Sequence, residues 1–212
     1  MGRALGHPEY LEATNKAIEM LKNDRIRILK TDIFNEITLR HPTPGGILLN
    51  LKRDPATMEL HAIEYDEKKV FIAWYMQMEH FVKVTRGDMR NLPYEDKYFD
   101  LVLDLSTLDH IRIEDIEQVF LQYNKVLKDK GLLVLFSWCA DFYTYGYAGP
   151  GIDMWHFDNQ YWFPPDQVRE KLQCYFNILE EEKGYVYMWE KMNLIGPQNN
   201  NYFMYRFLGE KK

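Results

Sequence analysis

A chain of 212 residues with 46% hydrophobic and 27% charged side chains can bury a full core without a disulfide or metal staple and is too apolar to be disordered. Its longest strongly apolar run, residues 131–140, is about half the roughly 20 residues of a membrane-spanning helix. Lys and Arg number 26 against 32 Asp and Glu, a formal net charge of −6, which gives no general attraction to nucleic acid or anionic lipid.

Residues 8–22 place Leu11, Ala17, Ile18 and Leu21 near helical spacing, which predicts an amphipathic N-terminal helix within residues 1–24. Arg25 to Lys30 reads as the first strand, with Ile26 and Ile28 in register. The stretch from Phe34 through His41-Pro-Thr-Pro-Gly-Gly46 to Leu49 fits no single element. Leu60 to Glu64 predicts a second strand, Glu67 to His80 a helix, and Phe81 to Thr85 a third strand. Phe99 to Ser106 is a near-continuous apolar strand interrupted by Asp104, the pattern of a sheet covered on both faces. Ile116, Val119, Phe120, Tyr123 and Leu127 mark a helix, with Lys128, Lys130 and Gly131 suiting its C-terminus. Gly131 to Phe136 is a further strand. A helix from Pro164 to Tyr175 precedes short alternating segments at 178–181, 185–187 and 201–207, the signature of a terminal antiparallel hairpin. Strands alternating with helices predict an α/β protein with a mostly parallel sheet.

Ligands of open parallel sheets bind beyond the carboxyl ends of the strands. Those ends are Lys30-Thr31-Asp32, Glu64-Tyr65-Asp66, Asp88-Met89, Ser106-Thr107 with Asp109-His110, and Ser137-Trp138. Glu64, closing the second strand, can accept both hydrogen bonds of a ribose diol, or it is a solvated loop carboxylate. Asp88 can accept from an adenine amino group, or it caps the turn into Asn91-Leu92-Pro93.

Gly87-Asp88-Met-Arg-Asn-Leu92-Pro93-Tyr94-Glu-Asp96-Lys-Tyr-Phe99-Asp100 resembles the central motif of class I S-adenosylmethionine-dependent methyltransferases. Tyr123-Asn-Lys-Val126-Leu127-Lys128-Asp-Lys-Gly131 is similar to the family's helix-to-strand signature, in the correct order. Leu29-Lys30-Thr31-Asp32, followed by Phe34-Asn35-Glu36, and Ser106-Thr107-Leu108-Asp109-His110 look like a narrower, type 11-like subgroup. The resemblance implies a Rossmann-like fold: a mostly parallel seven-stranded sheet, an antiparallel terminal hairpin and helices on both faces, with residues 1–212 forming one domain. It implies S-adenosyl-L-methionine as cofactor, bordered by Lys30, Thr31, Asp32, Glu64, Tyr65, Asp88, Met89 and Ser106. The sequence departs from the family's GxGxG loop, where Lys30-Thr31-Asp32 stands instead, and carries Glu64 at a usual Asp. Thr31 and Asp32 are expected to replace the missing backbone contacts, Asp32 pairing with the cofactor's ammonium.

Methyl transfer from a sulfonium needs chiefly in-line positioning, and a base only for a protonated nucleophile. His110 is the expected base, with Asp109 fixing its tautomer. The alternative has His110 capping the following helix or bordering the cofactor. Aromatics crowd residues 138–163, read as an insertion in which Trp138, Tyr143, Trp155 and His156 line the substrate wall; ordinary core packing is the competing reading. They lack the interleaved Lys and Arg of nucleic-acid binding, so a small-molecule acceptor is expected, without nucleic acid or membrane partners. Cys139 and Cys174 form no CxxC and no zinc-ligand spacing, so no metal site is expected. With no secretion-like leader, the location expected is cytoplasmic. A degenerate first loop leaves a non-catalytic binding or regulatory protein as the alternative. A nicotinamide oxidoreductase would share the acidic second-strand end but needs the absent GxGxxG.

Overall fold

The computed structural model describes residues 4–5, 7–33, 47–140, 144–146, 160–186 and 202–212. The expected N-terminal helix is α1 (His7–Met20), following a dipeptide strand β1 (Ala4–Leu5). Strands β2 (Ile26–Lys30), β3 (Met58–Glu64), β4 (Lys83–Arg86), β5 (Phe99–Leu105) and β6 (Leu127–Ala140) run parallel. Helices α2 (Glu67–Tyr75), α3 (Ile116–Val126) and α4 (Pro165–Tyr175) connect the later strands. The chain closes with β9 (Phe176–Val186) and β10 (Tyr202–Lys211), antiparallel to each other, while β7 (Thr144–Gly146) and β8 (Gln160–Trp162) form a separate two-stranded ribbon.

The sheet order is β1-β9-β10-β6-β5-β2-β3-β4, so the chain winds outward from β2 to β4, then crosses back to β5 and winds the other way. The reversal falls between β2 and β5, which pair directly through Ile28 with Leu101 and Lys30 with Leu103. Crevices of doubly wound sheets open at this point. Period-2 alternation sorts each strand's side chains to opposite faces. Ile26, Ile28, Leu101 and Leu103 pack with Ala13, Ala17 and Ile18 of α1. Leu29, Val102, Leu133 and Leu135 pack with Phe120 and Tyr123 of α3 and with Leu172 of α4. No helix among the described residues is long and apolar enough to cross a membrane.

Three sequence expectations shift. The helix expected to reach His80 stops at Tyr75, because Gln77 turns left-handed (φ 56°) and a separate 3₁₀ turn follows at Met78–His80. Lys128, Lys130 and Gly131 do not end a helix: α3 stops at Val126, β6 begins at Leu127, and Lys130 at φ 63° sits in an irregularity of the strand. The expected strand end at Ser137-Trp138 is interior, since β6 runs on to Ala140, pairing with β10 through Tyr202. The unplaced stretch ends in a 3₁₀ turn at Leu48–Asn50, and its residues 34–46, with Phe34, Gly45 and Gly46, lie outside the described residues.

Candidate active site

The carboxyl ends of β2 and β5 are joined by side chains. Lys30, fully buried, donates from Nζ to Asp32 Oδ1 at 2.9 Å and to the Asp32 carbonyl at 2.8 Å. Thr107 Oγ1 donates to Asp32 Oδ2 at 2.7 Å, and the Thr31 hydroxyl lies 3.1 Å from Thr107 Oγ1 and 3.2 Å from the Leu103 carbonyl. Burial pushes the Asp32 carboxyl up, but Lys30 and the Thr107 hydroxyl outweigh it, so its pKa lies below the ordinary value and the group is ionised. Its side chain keeps 15% exposure.

Glu64 ends β3 with its carboxyl nearly closed off. Oε1 accepts Asp66 N–H at 2.9 Å, Oε2 accepts Ile33 N–H at 3.4 Å, and Lys69 Nζ is 3.9 Å away. Burial raises its pKa, which Lys69 and the Asp66 amide partly offset. Tyr65 beside it is largely exposed. Gly87 follows β4, where a Cβ would stand 2.7 Å from Ile63 Cδ1, so a larger residue here would have to push the end of that side chain aside. Asp88 is fully engaged by Arg90: Oδ1 accepts its amide at 2.8 Å, Oδ2 accepts Nη2 at 2.7 Å, and Nε lies 3.1 Å from both. The guanidinium holds the Asp88 carboxyl low. Met89 is buried in the α3-side core.

After β5 the backbone turns sharply. Ser106 takes φ 66°, a left-handed position that costs a non-glycine residue of order 1 kcal/mol and that clusters at functional sites. Its hydroxyl lies 2.5 Å from Tyr10 OH and accepts Trp138 Nε1–H at 3.1 Å. Helix α1 and strand β6 thereby meet at the crevice. Tyr10 is the residue that sequence reasoning missed; it sits on the apolar stripe of α1, where a tyrosine reads as core packing.

The 3₁₀ turn Leu108–His110 carries Asp109 and His110 in opposite directions. His110 is exposed, whereas Asp109 is fully buried with both carboxyl oxygens lacking any hydrogen-bond partner. Asp109 therefore does not hold the His110 ring. Burial and then the nearby Asp104 charge push the Asp109 carboxyl well up; the backbone amides of Asp109 and Trp138 oppose this without reaching hydrogen-bond geometry. Of the expected substrate wall, Trp138 is buried against Trp162, ring centroids 4.9 Å apart. Tyr143, Trp155 and His156 lie outside the described residues.

The donor set fits S-adenosylmethionine in two places and differs in a third. Asp32 is ionised and suits an ammonium. Glu64 ends β3, the place from which an acidic residue of this fold can reach a ribose diol, although each of its oxygens already accepts one backbone amide. Asp88 has its acceptor positions occupied by Arg90 and caps its own turn.

Residues 43–135 match a family model described as a methyltransferase domain. The fold is shared with protein PH0226 from Pyrococcus horikoshii OT3, at TM-score 0.63 and 18% identity over 97% of this chain and 91% of that one. It is shared with the [4+2]-cyclase SpnF, at TM-score 0.64 and 17% identity over 100% and 84%. A geranyl diphosphate methyltransferase in complex with S-adenosylmethionine superposes at TM-score 0.70 and 9% identity over 96% and 85%. The matched segment spans β3 to β6 and the sheet order around it is that of the methyltransferase fold, so in this stretch the chain is similar to a methyltransferase domain. No curated protein sequence matches it.

Proposed function

We propose that the chain, acting as one domain, transfers the methyl group of S-adenosylmethionine to a small-molecule acceptor. The observation that carries this reading is the ionised Asp32, clamped by Lys30 and Thr107 at the reversal point of the sheet. A geranyl diphosphate methyltransferase solved with geranyl diphosphate and sinefungin shares the fold, which supports a small acceptor. A cyclase shares it too, so the reaction is argued from the site and not from the fold.

When bound, the cofactor supplies an already activated methyl electrophile. Asp32 receives the ammonium, with Lys30 and Thr31 bordering the methionine part. Glu64 receives the ribose diol, Tyr65 and Met89 flank the base, and Asp88 shapes the adenine side through its turn with Arg90. Ser106, held by Tyr10 and Trp138, faces the transfer position with Trp138 toward the acceptor, and Tyr143, Trp155 and His156 are the further side chains assigned to acceptor binding from the sequence. His110, exposed on its turn, is the side chain that takes a proton from an acceptor that carries one. Water exclusion comes from α1 on one side and the Trp138–Trp162 pair on the other.

Calorimetric titration with S-adenosylhomocysteine tests the cofactor half of this reading. Binding in the micromolar range is expected, with Asp32→Asn weakening it at least tenfold, about 1.4 kcal/mol. No binding at millimolar concentration rejects it. Methyl release measured across a small-molecule acceptor panel tests the other half. Cofactor binding without turnover on any acceptor would favour the regulatory reading, which the replaced glycine loop keeps in view.

A further inference from the structure

Asp104 belongs to none of the groups assigned above, yet it stands at the centre of their support. It is fully buried on the α3 face of β5. Its Oδ1 accepts the backbone N–H groups of Thr107 at 2.9 Å and Leu108 at 3.1 Å, and its Oδ2 accepts the hydroxyl of Tyr123 at 2.8 Å. The carboxylate thus caps the turn that carries Asp109 and His110. The same Thr107 donates its hydroxyl to Asp32. An unbroken series of hydrogen bonds runs from Tyr123 of α3 through Asp104, Thr107 and Asp32 to Lys30 of β2.

We propose that Asp104 is the positioning residue of the cofactor crevice: its carboxylate locks the turn after β5, so that Thr107 holds Asp32 oriented toward the cofactor's ammonium. Side chains anchored on β5 would then replace the glycine-rich backbone loop that β2 lacks. The inference rests on the role given to Asp32 under the proposed function.

Asp104 is a costly choice for a purely structural cap. Burial, with a smaller push from the Asp32 charge, raises its carboxyl to about 6 against the pull of Tyr123 and the two amides. A neutral residue of the same shape would avoid that penalty, and charged groups kept at such a penalty concentrate where function needs them. Among the described residues the titratable groups that act on it are Asp32, which follows β2 and is itself paired with Lys30, Tyr123 from α3, Asp109 from the turn and Tyr10 from α1.

The test is calorimetric titration of S-adenosylhomocysteine into the wild-type chain, Asp104→Asn and Thr107→Val at pH 5, 6 and 7, with melting temperatures taken alongside. Wild-type affinity is expected to fall at least fivefold from pH 7 to pH 5 as Asp104 takes up a proton. Asp104→Asn is expected to bind at least fivefold more weakly at pH 7, with no step over that range, while melting no lower than the wild type. Thr107→Val is expected to lose affinity similarly and to remain folded. An Asp104→Asn chain with wild-type affinity and the wild-type pH step overturns the proposal and leaves Asp104 a structural cap. Silence of the wild-type chain at every pH overturns the cofactor reading itself, and this proposal with it, and is told apart because no variant is needed to see it.

Discussion

A carboxyl group sealed from water without a hydrogen bond destabilises the fold that holds it. Asp109 leaves both oxygens unpartnered in full burial, and each buried polar group left unpaired costs about 1–3 kcal/mol. Asp109→Leu removes the deficit and is expected to raise stability by about 1–3 kcal/mol at pH 7 in chemical denaturation. The pH dependence has a definite sign. The folded pKa lies above the unfolded one, so the folded chain binds the proton more tightly and this group's penalty grows as pH rises from about 4 toward the folded value. The advantage of the leucine variant should therefore narrow on acidification toward pH 4; an advantage that widens there would contradict the burial of this group. The sequence offered Asp109 as the partner of His110 because neighbours in a motif invite pairing. A 3₁₀ turn instead sends adjacent side chains to different sides, and no residue spacing announces that turn.

At the scale of elements, α1 is held chiefly by packing and by Tyr10. No basic residue stands in its last turn, and it is held by Tyr10, Ala13, Ala17 and Ile18 against the sheet. Tyr10 adds two long-range ties, to the Ser106 hydroxyl and to Met204 Sδ at 3.8 Å, with its ring edge-on to Phe136 at 4.5 Å. Tyr10→Phe keeps the ring and removes the hydroxyl. It is expected to cost about 1 kcal/mol, a fall of about 2–4 °C in melting temperature for a chain of this size, and to free the Ser106 side chain at the crevice. A melting temperature unchanged within a degree would mean that α1 is held by apolar packing alone. The helices and strands were legible at this scale because each buries one stripe or one face, so hydrophobic periodicity reports them directly; α3 and β5 are the clearest instances. Less legible were the joints. The passage from α3 into β6 without a loop depends on Lys130 adopting φ 63°, and a lysine gives no sign of that conformation. The extension of β6 through Trp138 depends on pairing with β10, a contact between residues more than sixty positions apart that local pattern does not contain.

Across the whole molecule the two edges of the sheet divide their labour. The carboxyl edge gathers Asp32, Glu64, Ser106, Thr107 and Asp109, groups that are strained, closely packed or unpaired, and the methyltransferase-like motifs flanking them already marked this edge as the candidate site in the sequence. The amino edge holds satisfied ion pairs that serve cohesion. Asp100, 2% exposed, accepts Lys128 Nζ at 2.8 Å on both oxygens, Asn23 Nδ2 at 2.6 Å and the Arg27 amide at 2.8 Å, tying the starts of β2, β5 and β6 together. Removing one partner of a buried pair leaves an uncompensated charge, at a cost of about 3–5 kcal/mol when nothing else answers it. Asn23 and the Arg27 amide still answer Asp100 here, and Lys128 is about one-third exposed, at 35%. Lys128→Met is therefore expected to cost less, about 1–3 kcal/mol, measured as a shift of the urea midpoint at unchanged slope. Because Lys128 lies at the edge opposite the crevice, S-adenosylhomocysteine affinity at a temperature where the variant is fully folded should stay within twofold of wild type. Loss of affinity without loss of stability would show the two edges to be coupled, and the separation of site from scaffold drawn from the topology would not hold.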